Sequence, residues 1–269
     1  MPDNHLLPVP LPRKANLGCG YDIREGYLNV DLHQRHNPDL VADVSELSML
    51  PSGYFEEIVA QDVLEHLERH KTLPTLREWA RLLQPNGTVE IRVPSLLDLF
   101  ELLASPEWRP VNKTEELIHL MYGTQAYTGD YHLAGFTART LADVLKRAGL
   151  QISRAELQHS WLYIVTARKT EWLADPMEIA HNAYFCVLDR PGDEGGVSGL
   201  AAMLARSEID AAGAARLLAE SDEGRFIREN PVYLRRFMTQ LTVKPLPEPA
   251  PVVEASTAGV VSRIIRKIF

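Results

Sequence analysis

The sequence predicts an α/β fold, in which a Rossmann-like, mostly parallel sheet is followed by a small C-terminal all-α domain. Three observations predict it. From residue 14 to about residue 168, short apolar segments alternate with helical patterns, which is typical of a parallel sheet. A glycine-containing turn, NLGCG, follows the first of these segments, and such turns let the backbone pass close to a ligand. After residue 170 the pattern is helical, without a convincing strand.

The first half of the chain alternates strands and one clear helix. Residues 1–13 contain four prolines and predict an extended arm, and the sheet domain is expected to span 14–170. Strands are predicted for NVDL (29–32), DLVAD (39–43) and EIVAQD (57–62). In TLPTLREWARLLQPNG, apolar side chains including Trp79 share one helical face, and Pro85-Asn86-Gly87 is expected to stop the helix.

The next elements complete the sheet. TVEIRV (88–93) alternates apolar and polar residues, whereas a central parallel strand is usually apolar throughout. We therefore expect one face of this strand to be partly uncovered or to carry function. FTARTLADVLKRAGL predicts a helix with Thr137 as its N-cap and Gly149 just beyond its end. ISRAEL and WLYIVTAR predict a closing pair of strands.

The C-terminal part is predicted to consist of three segments. A helical module covers 171–242, in which LDRPGDEGG (188–196) is a turn cluster before the short helices SGLAAMLAR and DAAGAARLLAE. A proline-rich linker covers 243–258. The tail 259–269 has an apolar face and three basic residues, so it is expected to bind an anionic membrane surface or a protein partner. The alternative is a helix that packs on the same chain or a neighbour.

Composition excludes several classes of protein. The net charge of −8 argues against general nucleic-acid binding. The sequence contains no run of eighteen apolar residues, which is the length that a membrane-spanning helix needs. Two cysteines make no disulfide framework, and the first fifteen residues lack the regions of a secretion signal. We therefore expect a cytoplasmic protein, which lies at the inner membrane face if the tail binds lipid. The oligomeric state is not predicted.

The spacing around NLGCG narrows the choice of cofactor. A dinucleotide fingerprint needs a third glycine where this chain has Ile23, and an acid about twenty residues further on. Here Asp31 follows Gly20 by only eleven residues, which leaves no room for a crossover helix to bind a pyrophosphate. No G-K-[ST] follows the glycines either. A nucleoside cofactor without phosphate therefore fits better.

Several motifs in order resemble those of class I S-adenosylmethionine-dependent methyltransferases: NLGCG, ADVSEL, DVLEHL, LLQPNGTVEIRVPS and HLAGFTARTLADVLKRAGL. The resemblance covers roughly 14–168, and the short first crossover resembles a bacterial subgroup linked to surface-glycan synthesis. It implies S-adenosylmethionine as cofactor. It further implies contacts to the methionine part from Gly18, Cys19 and Gly20, to the ribose from Asp31, to the adenine from Asp43 and Val44, and beside the sulfonium from Gln61 and Asp62.

Some of these residues have a simpler interpretation. Gly18 and Gly20 would serve an ordinary tight turn equally well. Asp31 could be a surface turn residue, and Asp43 could cap a helix over SELSML. Cys19 has no basic neighbour in sequence, so we interpret it as a small residue in a tight space and not as a nucleophile.

The loop MYGTQAYTGDYHLAGF is predicted to cover the acceptor. If the acceptor is a hydroxyl, a base must take its proton, and His132 is the candidate, with Asp130 to orient it and His66 as the second choice. Tyr122, Tyr127 and Tyr131 are predicted to line the acceptor site. The alternatives are that His132 only anchors its loop and that Glu65 and His66 only orient theirs. No histidine or carboxylate cluster has metal-ligand spacing, so no metal is predicted.

The predicted reaction is methyl transfer from S-adenosylmethionine to a hydroxyl, with a sugar of a bacterial surface polysaccharide as the favoured acceptor. Residues 185–226 resemble a helical module attached to bacterial glycan enzymes. The alternatives are methylation of a small metabolite or lipid-linked intermediate, and a non-catalytic cofactor-binding scaffold that recruits partners. An acceptor pocket that is blocked would favour the scaffold.

Overall fold

The computed structural model describes residues 7–127, 129–170 and 175–229. The chain divides into two units, Met1–Tyr233 and Leu234–Phe269, and every described residue belongs to the first. The predicted linker 243–258 and tail 259–269 lie outside the described residues, as does the end of the predicted helical module. No helix in the described ranges is long and apolar enough to cross a bilayer.

Seven strands among the described residues form one sheet in the order β3-β2-β1-β4-β5-β7-β6. They are β1 Lys14–Leu17, β2 Tyr27–Asp31, β3 Leu40–Val41, β4 Phe55–Gln61, β5 Leu83–Pro94, β6 Leu150–Gln158 and β7 Leu162–Lys169. The first five strands are parallel, and β7 pairs antiparallel with both β5 and β6. The predicted Rossmann-like, mostly parallel sheet is confirmed.

Eight α-helices lie within the described ranges: α1 Thr72–Leu82, α2 Leu96–Ala104, α3 Val111–Tyr122, α4 Ala138–Arg147, α5 Pro176–Ala183, α6 Glu194–Ala205, α7 Ala211–Glu220 and α8 Asp222–Glu229. Helix α4 has the predicted boundaries. The hydroxyl of Thr137 accepts from the backbone N–H of Thr140, and Gly149 follows the helix with φ of +82°. Both signals are local, which is why sequence alone located them.

Two predicted boundaries are wrong by a few residues. Helix α1 ends at Leu82, before Pro85, because Leu83 is already extended and begins β5. The turn cluster 188–196 ends at Asp193, whose carboxylate caps α6 by accepting from the N–H of Gly196 at 2.7 Å. In both cases the next element begins earlier than predicted, because Leu83 pairs within the sheet and Asp193 caps α6.

The alternation in β5 has the predicted consequence. Val89, Ile91 and Val93 are fully buried, whereas Glu90 and Arg92 on the other face are only half-buried. Glu90 accepts a hydrogen bond from Gln61, and Arg92 pairs with Asp62 at the end of β4. The polar face of β5 therefore lies beside the carboxyl ends of the central strands, where ligands bind in α/β sheets.

The C-terminal helices have an apolar core of their own, which includes Tyr184, Leu188 and Val197. Helix α5 packs on β6, and the carboxylate of its buried Glu178 accepts from Arg168 of β7 at 2.6 Å. Arg190 forms a bidentate pair with Glu223 of α8, with both distances 2.6 Å. The small all-α part of the predicted fold is thus present, while the predicted domain boundaries remain a prediction.

Candidate active site

The turn between β1 and β2 is built on two glycines in the left-handed region. Gly18 has φ of +65° and Gly20 has φ of +52°, and the chain reaches β2 without an intervening helix. A Cβ at Gly18 would lie 2.5 Å from Cγ2 of Val63, so only glycine lets this turn approach the segment after β4. A Cβ at Gly20 would meet no atom within 4 Å. The space beside Gly20 is thus open to a ligand.

Cys19 lies between these glycines and is buried. Its backbone N–H donates to the carbonyl of Val30 at 3.0 Å. Burial, together with the charge of Asp31, raises the pKa of its thiol to about 12. The thiol therefore stays protonated at neutral pH, which supports a packing role and not a nucleophilic one.

Asp31 ends β2 and holds the turn in place. Its Oδ2 accepts from the N–H of Gly20 at 2.8 Å, and its Oδ1 accepts from the N–H of His33 and from Nδ1 of His36, each at 2.8 Å. Burial opposes ionisation, but the hydrogen bonds from His33, Gly20 and His36 outweigh it and lower the pKa of Asp31. A carboxylate accepts about four hydrogen bonds, so Oδ2 retains capacity for one more donor.

Asp43 and Val44 follow β3 in a turn. Oδ1 of Asp43 accepts from both the N–H and the hydroxyl of Ser45, at 2.8 and 2.7 Å. Turns cover residues 44–45 and 48–49 and no helix spans 45–50, so the alternative that Asp43 caps a helix over SELSML is wrong. The indole N–H of Trp79 donates to the carbonyl of Val44 at 2.9 Å and anchors the turn. Only one carboxylate oxygen of Asp43 is used in contacts among the described residues.

Gln61 and Asp62 lie at the end of β4. The amide of Gln61 bridges Arg24 and Glu90. Asp62 adopts φ of +54° and accepts from the guanidinium of Arg92, with an Nε–Oδ1 distance of 2.9 Å. The left-handed backbone at a residue without a glycine's freedom indicates that this strand end is held by its surroundings.

These residues surround one large cavity of about 640 Å³. All eight residues that were predicted to contact the cofactor line it: Gly18, Cys19, Gly20, Asp31, Asp43, Val44, Gln61 and Asp62. The volume lies in the range of cofactor-sized ligands. The open space at Gly20 and the spare acceptor on Asp31 fit a nucleoside with a small polar chain.

A second cavity of about 430 Å³ adjoins the large cavity. Its lining includes Glu65, His119, Thr124 and His132, and four residues line both cavities: Asp62, His66, Arg92 and Asp130. A group bound in the second cavity would therefore face a ligand of the large cavity across these shared side chains.

His132 and His66 lie edge to face, with ring centroids 4.8 Å apart. Backbone hydrogen bonds bring them together, because the N–H groups of Leu133 and Ala134 both donate to the carbonyl of Glu65, at 2.7 and 3.0 Å. Burial, and the charge of His66, lower the pKa of His132. His132 is therefore unprotonated at neutral pH and able to accept a proton.

Asp130 lines both cavities but has a different partner from the predicted one, and two of the predicted tyrosines lie outside both cavities. The carboxylate of Asp130 accepts from the hydroxyl of Thr124, while His132 hydrogen-bonds to the backbone of Leu120, so Asp130 does not orient the imidazole. Tyr122 and Tyr131 are exposed and line neither cavity.

The third tyrosine, Tyr127, lines the large cavity, with the guanidinium of Arg35 4.4 Å from its ring centre. The loop turns at Gly123, where a Cβ would lie 2.4 Å from the carbonyl of Asp130.

Sequence reasoning missed Arg92 and His36 as site residues and gave Glu65 only a supporting role. The alternation of TVEIRV was the available signal for Arg92. The sequence-based prediction of no metal cluster also missed three residues, each of which offers one ligand atom within 4.8 Å of the others: Glu65, His66 and His132. His132 follows His66 by sixty-six residues, so no short spacing could reveal this cluster.

Glu65 is the most unusual member of that cluster. Its side chain is fully buried in the 3₁₀ turn Leu64–His66, and its Oε2 has no hydrogen-bond partner. Burial raises the pKa of Glu65 to about 8.

Comparison with known proteins places the sheet domain in a family. A family model described as a methyltransferase domain matches residues 12–155, which is more than half of the chain. None of the curated proteins compared with the chain matches it.

Three solved structures are among those that resemble the fold. One is 1,6-didemethyltoxoflavin-N1-methyltransferase from Burkholderia thailandensis, with bound 1,6-didemethyltoxoflavin and S-adenosylhomocysteine. It has 17% identity, the match covers 59% of this chain and 71% of that one, and the TM-score is 0.40. The other two are S-adenosylmethionine-dependent methyltransferases. The one from Mesorhizobium loti has 18% identity, covers 60% of this chain and 94% of its own, and gives a TM-score of 0.42; the one from Methanosarcina mazei has 15% identity, covers 59% and 92%, and gives a TM-score of 0.43.

Proposed function

The chain belongs to the class I S-adenosylmethionine-dependent methyltransferases, and we propose that it methylates a hydroxyl group held in the second cavity. The observation that carries this proposal is the wall shared by the two cavities. Asp62, His66, Arg92 and Asp130 line both, so a donor in the large cavity and an acceptor in the second cavity would meet there. Methyl transfer needs such positioning more than any other contribution from the protein.

In this proposal S-adenosylmethionine is held by the eight predicted residues, all of which line the large cavity. When bound, that cofactor supplies a methyl group that is already activated on a sulfonium. The spare lone pair on Oδ2 of Asp31 accepts from one ribose hydroxyl, which makes the expected ribose contact a single hydrogen bond. The second oxygen of Asp43 accepts from the adenine amino group, and Gly20 leaves room for the methionine part.

The acceptor hydroxyl loses its proton to the pair His66–His132. His132 is the better base because burial keeps its imidazole neutral at pH 7, and its loop is fixed to the loop of Glu65 by two backbone hydrogen bonds. A positioned base of this kind contributes about 10²–10⁴-fold to the rate. Arg92 is already paired with Asp62, so its charge is balanced within the wall.

A sugar hydroxyl of a bacterial surface polysaccharide is the proposed acceptor. The support is the resemblance to the surface-glycan subgroup and to the module at 185–226, together with the polar lining of the second cavity by Thr124, His119 and Asp130. A small metabolite or lipid-linked sugar is the other acceptor to test. The open second cavity argues against the scaffold without catalysis.

The test is transfer of labelled methyl from S-adenosylmethionine to glycan fragments, free sugars and lipid-linked sugars. With a hydroxyl acceptor, His132→Gln should lower kcat by about 10²-fold or more, with unchanged affinity for S-adenosylhomocysteine. His70→Gln, at an exposed histidine that lines neither cavity, is the matched control. Retained kcat with a raised KM would show that His132 only anchors its loop. Binding of NAD in place of S-adenosylhomocysteine would refute the cofactor.

A further inference from the structure

Glu65 has a buried oxygen that the fold leaves without a partner. Oε2 is sealed from solvent and makes no hydrogen bond, although buried polar groups are almost always paired. Protonation of the carboxyl would not remove the problem, because the new O–H would itself need an acceptor. An ion is one of the few partners that would satisfy this oxygen.

The two imidazoles beside Glu65 are each held in one orientation. Nδ1 of His66 lies 3.2 Å from the carbonyl of Tyr131 and donates to it, which leaves Nε2 free as a ligand. His132 hydrogen-bonds through its ring to the backbone of Leu120 and likewise keeps one nitrogen free. Hydrogen bonds of this type, from the far ring nitrogen to a carbonyl, orient histidines that bind metals.

We infer that Glu65, His66 and His132 form a binding site for a divalent transition-metal ion that opens onto the second cavity. Their ligand atoms lie within 4.8 Å of one another, against about 3.3 Å for two ligands of one tetrahedral ion. Small rotations at the ends of three side chains close this difference. Two nitrogens and one carboxylate oxygen suit zinc, iron, manganese or cobalt, whereas magnesium and calcium prefer oxygen alone.

Three protein ligands leave at least one coordination position for an oxygen of the acceptor, since the three residues line the second cavity. This part of the inference rests on the proposed function. With an ion bound, His132 would be its ligand and no longer the base. The ion would itself lower the pKa of a coordinated hydroxyl, and the released proton would pass to water.

Metal binding is tested without the acceptor. The metal-stripped full chain is titrated with Co²⁺, whose visible absorption changes on nitrogen coordination, and separately with Zn²⁺ in competition. We expect one equivalent to bind, and Glu65→Gln and His66→Gln each to weaken binding by at least tenfold. His119→Gln, at a histidine that lines the same cavity outside the cluster, should leave binding within about twofold. Unfolding midpoints and affinity for S-adenosylhomocysteine verify that each variant is folded.

Wild type that binds Co²⁺ no more tightly than Glu65→Gln or His66→Gln would overturn the inference, as would an equal loss in His119→Gln. Full methyl transfer by the chelator-treated protein would also overturn it while leaving the proposed function intact. Specific metal binding without transfer to any hydroxyl would support the site and contradict the proposed function.

Discussion

Replacement of Asp31 by alanine should weaken cofactor binding with a magnitude that follows from its contacts. The carboxylate accepts from Gly20, His33 and His36 and has one position left for a ribose hydroxyl. Loss of one hydrogen bond to a charged group costs about 1.5–3 kcal/mol. The dissociation constant for S-adenosylhomocysteine should therefore rise about 10- to 150-fold.

Isothermal titration measures this affinity, and Asp39→Ala is the matched control. Asp39 directly precedes β3, the neighbour of β2, and accepts from the N–H and the side-chain amide of Asn29, at 2.8 and 2.9 Å, but it does not line the large cavity. This control should lose stability without a comparable loss of affinity. A folded Asp31→Ala protein whose affinity stays within threefold of wild type would refute the proposed ribose contact.

The difference in stability between wild type and Asp31→Ala should depend on pH in a defined direction. The pKa of Asp31 is lowered in the folded state, so its carboxylate stabilises the fold fully above the unfolded value of about 3.9. This contribution is lost as the pH falls through the lower, folded value. The difference in unfolding free energy between wild type and Asp31→Ala should be constant near neutral pH and shrink below about pH 4.

Three further predictions concern glycines and cysteines. Gly20→Ala should cost about 1–2 kcal/mol of stability, because φ of residue 20 is positive. It should also weaken S-adenosylhomocysteine binding more than tenfold, because the new methyl group occupies open space at the large cavity; an unchanged dissociation constant in isothermal titration would contradict this. Iodoacetamide at pH 8 should label exposed Cys186 well before Cys19, whose thiol has a pKa of about 12, and peptide mass spectrometry would reveal the reverse order. Gly192→Ala should destabilise the C-terminal helices by about 1–3 kcal/mol, because its Cβ would lie 2.5 Å from Val197. Gly199→Ala is the control, since its Cβ would meet no atom within 4 Å; equal melting temperatures of the two variants would exclude the clash.

The sequence by itself predicted the alternation of the sheet domain and helices α1 and α4, and the family resemblance added eight residues that line the large cavity. Alternating segments, the Thr137 cap and the glycine turn are local signals, and their chemistry acts within a few residues. In a parallel sheet the carboxyl ends of β1, β2 and β4 meet at one edge, so residues that follow these strands come together whatever the rest of the chain does. This is why Gly20, Asp31 and Asp62, which the family resemblance assigned to the cofactor, line one cavity.

Only the tertiary structure decided the arrangement of the second cavity. The loop after α3 folds back so that Leu133 and Ala134 hydrogen-bond to Glu65, and this places His132 against His66. The same fold carries Asp130 to Thr124 instead of to His132. Periodicity and spacing indicate contacts only between residues that are close in sequence. The contacts at the second cavity depend on the course of a loop, which is set by a few long-range backbone hydrogen bonds and a tight turn and is not encoded by any local pattern.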